Sequence, residues 1–335
     1  MPGMRPSVTV LEGGSRAPSP LEAAYDHFRL VLQGDLVSDR TLDHYDDMVR
    51  PFLTWAADAG ARRFEELPSV LVERYRAELA VRTGKHGRRL QPRTVLDSHK
   101  ALSTFFRWAS AKRYPVDTEI LNFKRPKAPR KEPTVYHIKQ IKDILAACNA
   151  RVPQEDLVVR LLVGSGLRVS EACGLSLVGP DGLSDLMLDS MQRNRVELRV
   201  RWDAGAKGKK SRRVPITPKL AAAIKQYEGR QRRDVEYPHM LINERGLPYG
   251  RFGIDAIMDR LKVRTGLRIH AHAFRHTFAT VATKLGWNME YLRAALGHAE
   301  YKELQTYVRL ATERDLGPRK EWLDFIVASP VVEWM

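Results

Sequence analysis

Four polar residues in the last quarter of the sequence carry complementary chemistry: His272, Arg275, His298 and Tyr307. A guanidinium presents a planar fork of donors that fits an oxyanion, an imidazole exchanges protons near neutral pH, and a phenol can act as a covalent nucleophile. Spacing decides whether they can meet. His272 and Arg275 stand three apart, and Phe274, Phe278, Val281 and Leu285 recur at helical intervals around them. The imidazole and the guanidinium therefore leave the start of one helix on neighbouring sides. Gly286 is expected to end that helix, and Asn288 to cap the next, whose apolar face is Tyr291, Leu292, Ala295 and Leu296. Gly297-His298 stops it, leaving His298 at a helix end, where side chains are often exposed and aimed. Tyr307 follows nine residues on, in a run of helical composition from Tyr301 to Ala311. His272 and His276 also have the spacing of a metal-ligand pair, but Ala273 stands where a zinc hydrolase of the HExxH kind needs glutamate, so no metal is expected.

Upstream elements must position this set. A helix with Ile138, Ile141 and Leu145 and an apolar one from Leu157 to Val163 lead to Gly164-Ser165-Gly166-Leu167-Arg168-Val169-Ser170-Glu171. The glycines break one helix, and Arg168 begins the next with Glu171 one turn later. A cation in a helix's first turn opposes the dipole, so something must hold Arg168 there, and a salt bridge to Glu171 is the plain explanation. Residues 194–202 alternate apolar and charged as a strand does, and Arg213-Val214-Pro215-Ile216 is a second short strand. The hairpin tip between them carries Lys207, Lys209 and Lys210. Residues 220–227 read as a helix, 240–243 as an edge strand turned by Glu244-Arg245-Gly246, and 254–263 as a helix.

Before this region, residues 20–111 read as four amphipathic helices with starts near Ser38, Ser69 and Gln91-Pro92. Lys85, Arg88 and Arg89 sit in a glycine-bearing loop between the third and fourth, suited to phosphate contact or to a solvated turn. Residues 122–133 hold three prolines and the cations Lys124, Arg125, Lys127, Arg130 and Lys131, the composition of an extended basic linker. Residues 1–19 are rich in Gly, Pro and Ser and read as a disordered tail.

The length suffices for two domains, and 56 Lys and Arg against 40 Asp and Glu give a net charge of +16, which favours a polyanionic partner, nucleic acid before membrane. Cys148 and Cys173, the only cysteines, lie in apolar helical patterns and cannot build a disulfide framework or a four-ligand zinc site. With no run approaching the roughly 18 apolar residues of a membrane helix and no signal peptide, a cytoplasmic, nucleoid-associated protein is expected.

His272-Ala273-Phe274-Arg275-His276-Thr277-Phe278-Ala279-Thr280, then Leu296-Gly297-His298, then Tyr307 resembles the active-site core of the tyrosine recombinases, the phage-integrase family. Gly166-Leu167-Arg168-Val169-Ser170-Glu171 resembles its first catalytic box, and Lys207 occupies the place of its hairpin lysine, with Lys209 and Lys210 as near alternatives. The resemblance departs in three places. Phe274 replaces a leucine, Leu304 stands where threonine is frequent, and Gly179-Pro180-Asp181-Gly182 lengthens the connection after Arg168.

What the resemblance implies is a mainly α protein with a small antiparallel β-sheet in the catalytic domain, forming a two-domain C-shaped clamp around DNA. Its parts are a tail (1–19), a helical, SAM-like core-binding domain (20–121), the linker (122–133), the catalytic domain (134–312), and a C-terminal tail (313–335). The tail's apolar Trp322, Leu323, Phe325, Ile326 and Val327 fit either a neighbouring subunit or their own domain. The implied activity is site-specific recombination through a 3′-phosphotyrosine, without metal, ATP or cofactor. Tyr307 is the nucleophile, Arg168 and Arg275 hold the phosphate, and His272 is the first candidate to take the tyrosine's proton. Lys207 protonates the leaving 5′ oxygen, His298 bonds the phosphate or the tyrosine, and Glu171 gives support. Partners are double-stranded DNA, further copies in a homo-tetramer on paired sites, and an accessory DNA-bending or directionality protein. Two other readings use the same residues: a type IB topoisomerase, and a DNA-binding regulator that kept the fold without the chemistry.

Overall fold

The computed structural model describes residues 17–84, 87–124, 126, 132–188, 196–203, 211–298 and 300–328. Lys85, Arg125, Lys127, Arg130, Lys131, Lys207, Lys209 and Lys210 lie outside the described residues. The chain divides into two compact units, Met1–Lys131 and Glu132–Met335.

The first unit is built from α1 (Pro20–Gly34), α2 (Asp39–Asp58), α3 (Ser69–Val81) and α4 (Pro92–Ala111). Local signals account for their starts. Ser19 and Glu22 cap α1 reciprocally, the backbone N–H of each donating to the other's side chain at 2.7 and 3.3 Å, with proline at the first helical position. The apolar stripes meet in an aromatic core of Tyr25, Phe28, Phe52, Tyr75, Phe105 and Phe106, all buried. Their rings pack edge to face, as in Tyr25–Phe105 at 5.6 Å and Phe52–Tyr75 at 5.0 Å. A single antiparallel bridge, Thr83 to Arg89, closes the basic loop between α3 and α4, and Arg88 and Arg89 are exposed. Lys124, just past a 3₁₀ turn at Thr118–Asn122, is exposed as well.

The second unit begins with α5 (Ile138–Ala146), α6 (Pro153–Ser165) and α7 (Val169–Gly174). A three-stranded antiparallel sheet follows in the order β1 (Leu186–Leu188), β2 (Val196–Val200), β3 (Arg212–Ile216). Pairing Val196 with Ile216 and Leu198 with Val214 turns the apolar set of both strands onto one face, where Leu198 and Val214 are buried. Pro215 lacks an N–H to donate, which an edge strand such as β3 tolerates. Then come α8 (Pro218–Arg230), α9 (Arg251–Thr265), α10 (Ala271–Lys284), α11 (Met289–Leu296), α12 (Gln305–Glu313) and α13 (Arg319–Trp322). Asn288 caps α11 through its side-chain oxygen, which accepts from the N–H groups of Glu290 and Tyr291.

One expected element is absent among the described residues. The segment around Met240 and Asn243 does not form an edge strand; it makes only the isolated bridges Ser176–His239 and Ile242–Pro248 around a turn. The Asn243 side chain accepts from Arg245 and Leu247 N–H, so the turn closes locally before a ladder can extend. The C-terminal tail, for its described length, packs on its own unit. Leu316 accepts from Ile138 N–H at 3.0 Å and from the Trp322 indole at 2.8 Å, Ile326 is fully buried, and Trp287 donates to the Val327 carbonyl. Cys148 and Cys173 are partly buried free thiols. No described helix is long and apolar enough to cross a membrane.

Candidate active site

Two helix ends create the site. α6 stops at Gly166, whose φ of +62° is the left-handed turn that glycine adopts freely, and α11 stops at Gly297 with φ +64°. The last carbonyls of a helix lack intrahelical donors and carry its negative dipole end, so they attract cations. Arg275, in the second turn of α10, is 1% exposed and donates to the Gly166 carbonyl at 2.8 Å and to the Leu296 carbonyl at 2.6 Å. Burial and the nearby Arg168 charge pull its guanidinium down to about 10, which still leaves it cationic at neutral pH. Phe278, one turn on, lies so close over Gly166 that an added Cβ would come within 2.4 Å of its ring.

Arg168 precedes α7 as its N-cap residue, in extended conformation, and Glu171 in the first turn offsets the charge that the helix dipole opposes. Its backbone N–H and its guanidinium both donate to Glu171 at 2.8 Å, and its second terminal nitrogen reaches the Gly297 carbonyl at 3.1 Å. The expected salt bridge to Glu171 is thus present. Glu171 is buried, and its carboxylate also receives both terminal nitrogens of Arg212, at 3.0 and 2.7 Å, while Arg212 Nε donates to the Ala295 carbonyl. Burial pushes the Glu171 carboxyl up, but the hydrogen bonds and charge of Arg212, with those of Arg168, outweigh it and hold the group ionised below its ordinary 4.5.

Tyr307, on α12, is 4% exposed. Its hydroxyl lies 3.1 Å from His276 Nδ1, and the His298 ring stacks on it at 6.2 Å between centroids. His276 in turn meets His272 edge to face at 4.3 Å, and His272 opens onto solvent at the start of α10. Burial, with the charges of His272, Arg275 and His270, depresses His276 to about 4. Burial, Arg275, Arg168 and Arg212 depress His298 to about 3. Both are neutral at pH 7. His272, exposed at its edge but turned inward for part of its ring, is lowered as well by that partial burial and the Arg275 charge, while burial raises the Tyr307 phenol against the opposing pull of Arg275.

One expectation about the histidines is corrected by the geometry. His298 is buried rather than exposed, because the left-handed Gly297 turn folds the chain back so that His298 N–H donates to the Arg293 carbonyl. Its Nδ1 makes no hydrogen bond among the described residues and lies 3.4 Å from the Glu303 carboxylate. The tyrosine hydroxyl, moreover, is bonded to His276, not to His272. Arg168, Glu171, His272, Arg275, His298 and Tyr307 are thus brought together, and the described candidates Arg88, Arg89 and Lys124 belong to the other unit. The sequence weighs His276 only as a metal ligand and does not single out Arg212. The signal for Arg212 was Glu171 itself, since a buried carboxylate between two cations is better satisfied than with one. Tyr301 stands apart, half-exposed beneath the Arg293 guanidinium at 5.4 Å. No cluster that could hold a metal occurs among the described residues.

Fixed guanidiniums, neutral imidazoles and a shielded phenol are the parts of a site that grips an anionic ester with a covalent nucleophile at hand. The family model described as "Phage integrase family" matches residues 135–314, more than half of the chain, and the chain belongs to that family, the tyrosine recombinases. It is 26% identical to the tyrosine recombinase XerC of Bacillus subtilis over 82% of this chain and 88% of that one. It is 28% identical to the tyrosine recombinase XerA of Thermococcus kodakarensis over 86% and 91%. Among solved structures, XerH bound to a palindromic difH substrate in a post-cleavage complex aligns with a TM-score of 0.65 over 88% of this chain and 83% of that one, at 19% identity. A lambda integrase dimer bound to a COC′ core site aligns with a TM-score of 0.66 over 88% and 95%, at 15% identity. The fold is shared with both.

Proposed function

We propose that this protein is a site-specific DNA recombinase that cleaves and rejoins strands through a 3′-phosphotyrosine. The observation that supports this reading best is the placement of Tyr307 within a cluster whose two arginines are fixed by helix-end carbonyls and by Glu171. A phosphodiester resists attack because its oxygens are negative and gain charge in the transition state. Arg168 and Arg275, held in place before substrate arrives, offset that charge without reorganising. Tyr307 then attacks the phosphorus, and Lys207 protonates the leaving 5′ oxygen, with Lys209 and Lys210 as its alternatives. His298, neutral and stacked on the phenol, donates to a phosphate oxygen. The phosphotyrosine conserves the energy of the broken bond, so rejoining to another 5′ hydroxyl needs neither metal nor ATP.

In this reading four copies act on two DNA sites, the first unit grips the core site, and Arg88, Arg89 and Lys124 are among its phosphate contacts. The relatives' names, and neighbours solved on recombination-site DNA, support this assignment. Covalent trapping tests it. Incubated with EDTA on a 5′-bridging phosphorothiolate substrate from its flanking DNA, wild type is expected to form a denaturation-resistant adduct that Tyr307→Phe does not. An adduct that persists in the variant moves the nucleophile elsewhere, and no adduct on any cognate DNA favours a non-catalytic regulator. Relaxation of any supercoiled plasmid by a monomer would move the reading to a type IB topoisomerase.

A further inference from the structure

We infer that His276 is a catalytic residue: its Nδ1 holds the Tyr307 hydroxyl and takes its proton as the phenol attacks. The inference rests on Tyr307 being the nucleophile, as proposed above. Among the imidazoles gathered here, His276 is the one with a ring nitrogen at 3.1 Å from Tyr307 Oη, whereas His272 meets the His276 ring and faces solvent. His276 sits one turn beyond His272 on α10, which packs directly on α12, so it points where the phenol emerges. With its proton on Nε2, neutral His276 offers Nδ1 as the acceptor of the Tyr307 O–H.

The step balances. The Tyr307 Oη–P bond forms, the proton moves from Oη to Nδ1, the P–O5′ bond breaks, and the 5′ oxygen takes a proton from the cationic donor proposed above. Rejoining runs the same transfers in reverse. The electrostatics make the step conditional on DNA. In the free protein the positive groups facing His276 are Arg275 on its own helix, with His272 and His270 when protonated; from α12 it faces the neutral phenol of Tyr307. These charges and burial make His276 a poor base, so the buried phenol keeps its proton. A phosphate anion seated on Arg168 and Arg275 offsets that charge, and His276 becomes more basic when substrate is present. The nucleophile is silent until there is a phosphorus to attack.

Three variants of the full-length protein test this: His276→Asn, whose amide replaces Nδ1 as a hydrogen-bonding atom but takes no proton, His276→Leu, and His272→Asn. Each is checked by thermal melting and by core-site DNA affinity. Single-turnover adduct formation is then followed against pH on a 5′-bridging phosphorothiolate, whose sulfur leaves without protonation and so isolates the nucleophile's side. Both His276 variants are expected to lose ~10²-fold or more in adduct rate at unchanged DNA affinity. Wild type should lose rate as pH falls through an imidazole-range limb that His276→Asn lacks and His272→Asn keeps. The inference is overturned if His276→Asn stays within a few-fold of wild type, or if the limb disappears with His272→Asn instead. If Tyr307→Phe still forms the adduct, the nucleophile assignment itself falls, whatever the His276 variants do.

Discussion

Glu171 accepts hydrogen bonds from two arginines and from the backbone of one of them, so a single carboxylate sets the aim of Arg168 and anchors Arg212. Removing it leaves two guanidiniums facing each other with little water to screen them. Glu171→Ala is expected to cost ~3–5 kcal/mol in urea unfolding. It should also lower adduct formation more than it lowers DNA affinity, with Glu171→Asp intermediate. The two withdrawn imidazoles, His298 buried and His276 partly so, impose a pH dependence of their own. His276 and His298 have folded values of about 4 and about 3 against an ordinary 6.5. Below 6.5 the unfolded chain binds protons that the folded chain refuses. The stability these neutral rings contribute is therefore complete above about pH 7 and falls away as pH drops from 6.5 toward their folded values. Glu171, depressed rather than raised, adds a further loss only below its ordinary 4.5. The urea midpoint should fall between pH 7 and 5, and His298→Asn should flatten that slope.

At the scale of elements, the site depends on two helix C-termini more than on the helices that carry its named residues. Gly166 has three tasks: a positive φ, room for the Phe278 ring, and a carbonyl for Arg275. Gly166→Ala adds a Cβ within 2.4 Å of that ring in a conformation L-residues resist, and is expected to cost ~2–4 kcal/mol. Because the same shift moves the Gly166 carbonyl, the adduct rate should fall beyond what loss of folded protein explains. Much of this region was legible from sequence. Helical periodicity locates α10, glycines mark both helix ends, and the residue type of Asn288 signals the cap that it forms. Spacing along a chain, however, says which residues share a helix face and not which distant carbonyl a guanidinium reaches. Hence Gly166, Leu296 and Gly297 as anchors, Arg212 as the second partner of Glu171, and the contact of the Tyr307 hydroxyl with His276 all needed coordinates. The stretch from Met240 to Asn243 misled because apolar content alone does not distinguish a ladder from two isolated bridges around an Asn-centred turn. His298 misled because a helix end is exposed only if the chain beyond it departs.

For the whole molecule, a net charge of +16 makes DNA affinity a steep function of salt. If Arg88, Arg89 and Lys124 touch phosphates, replacing each with glutamine should reduce the slope of log K against log salt by ~0.9 for every phosphate no longer neutralised, at similar cost on cognate and unrelated DNA. An unchanged slope would make them solvated surface. The chain divides into its two compact units inside the proline- and lysine-rich stretch, whereas an apolar tail does not name the surface it will cover. Glu132, at the start of the second unit, pairs with Arg309 on α12 and with Arg314, the residue that caps its C-terminus.

The helix bearing Tyr307 has no slack at either end. Leu304 at its start and Leu316, three residues past Glu313, are each 1% exposed, and the Leu316 carbonyl is tied to both Ile138 and Trp322. Three extended residues reach only ~10 Å. A protomer that passed its phenol to a neighbouring copy would first have to strip Trp322 and Ile326 from its own core. Each copy should therefore cut only the strand its own arginines hold. Mixing Tyr307→Phe protomers with Arg275→Ala protomers should restore no cleavage, and an adduct from that mixture would mean that ownership of the nucleophile is shared.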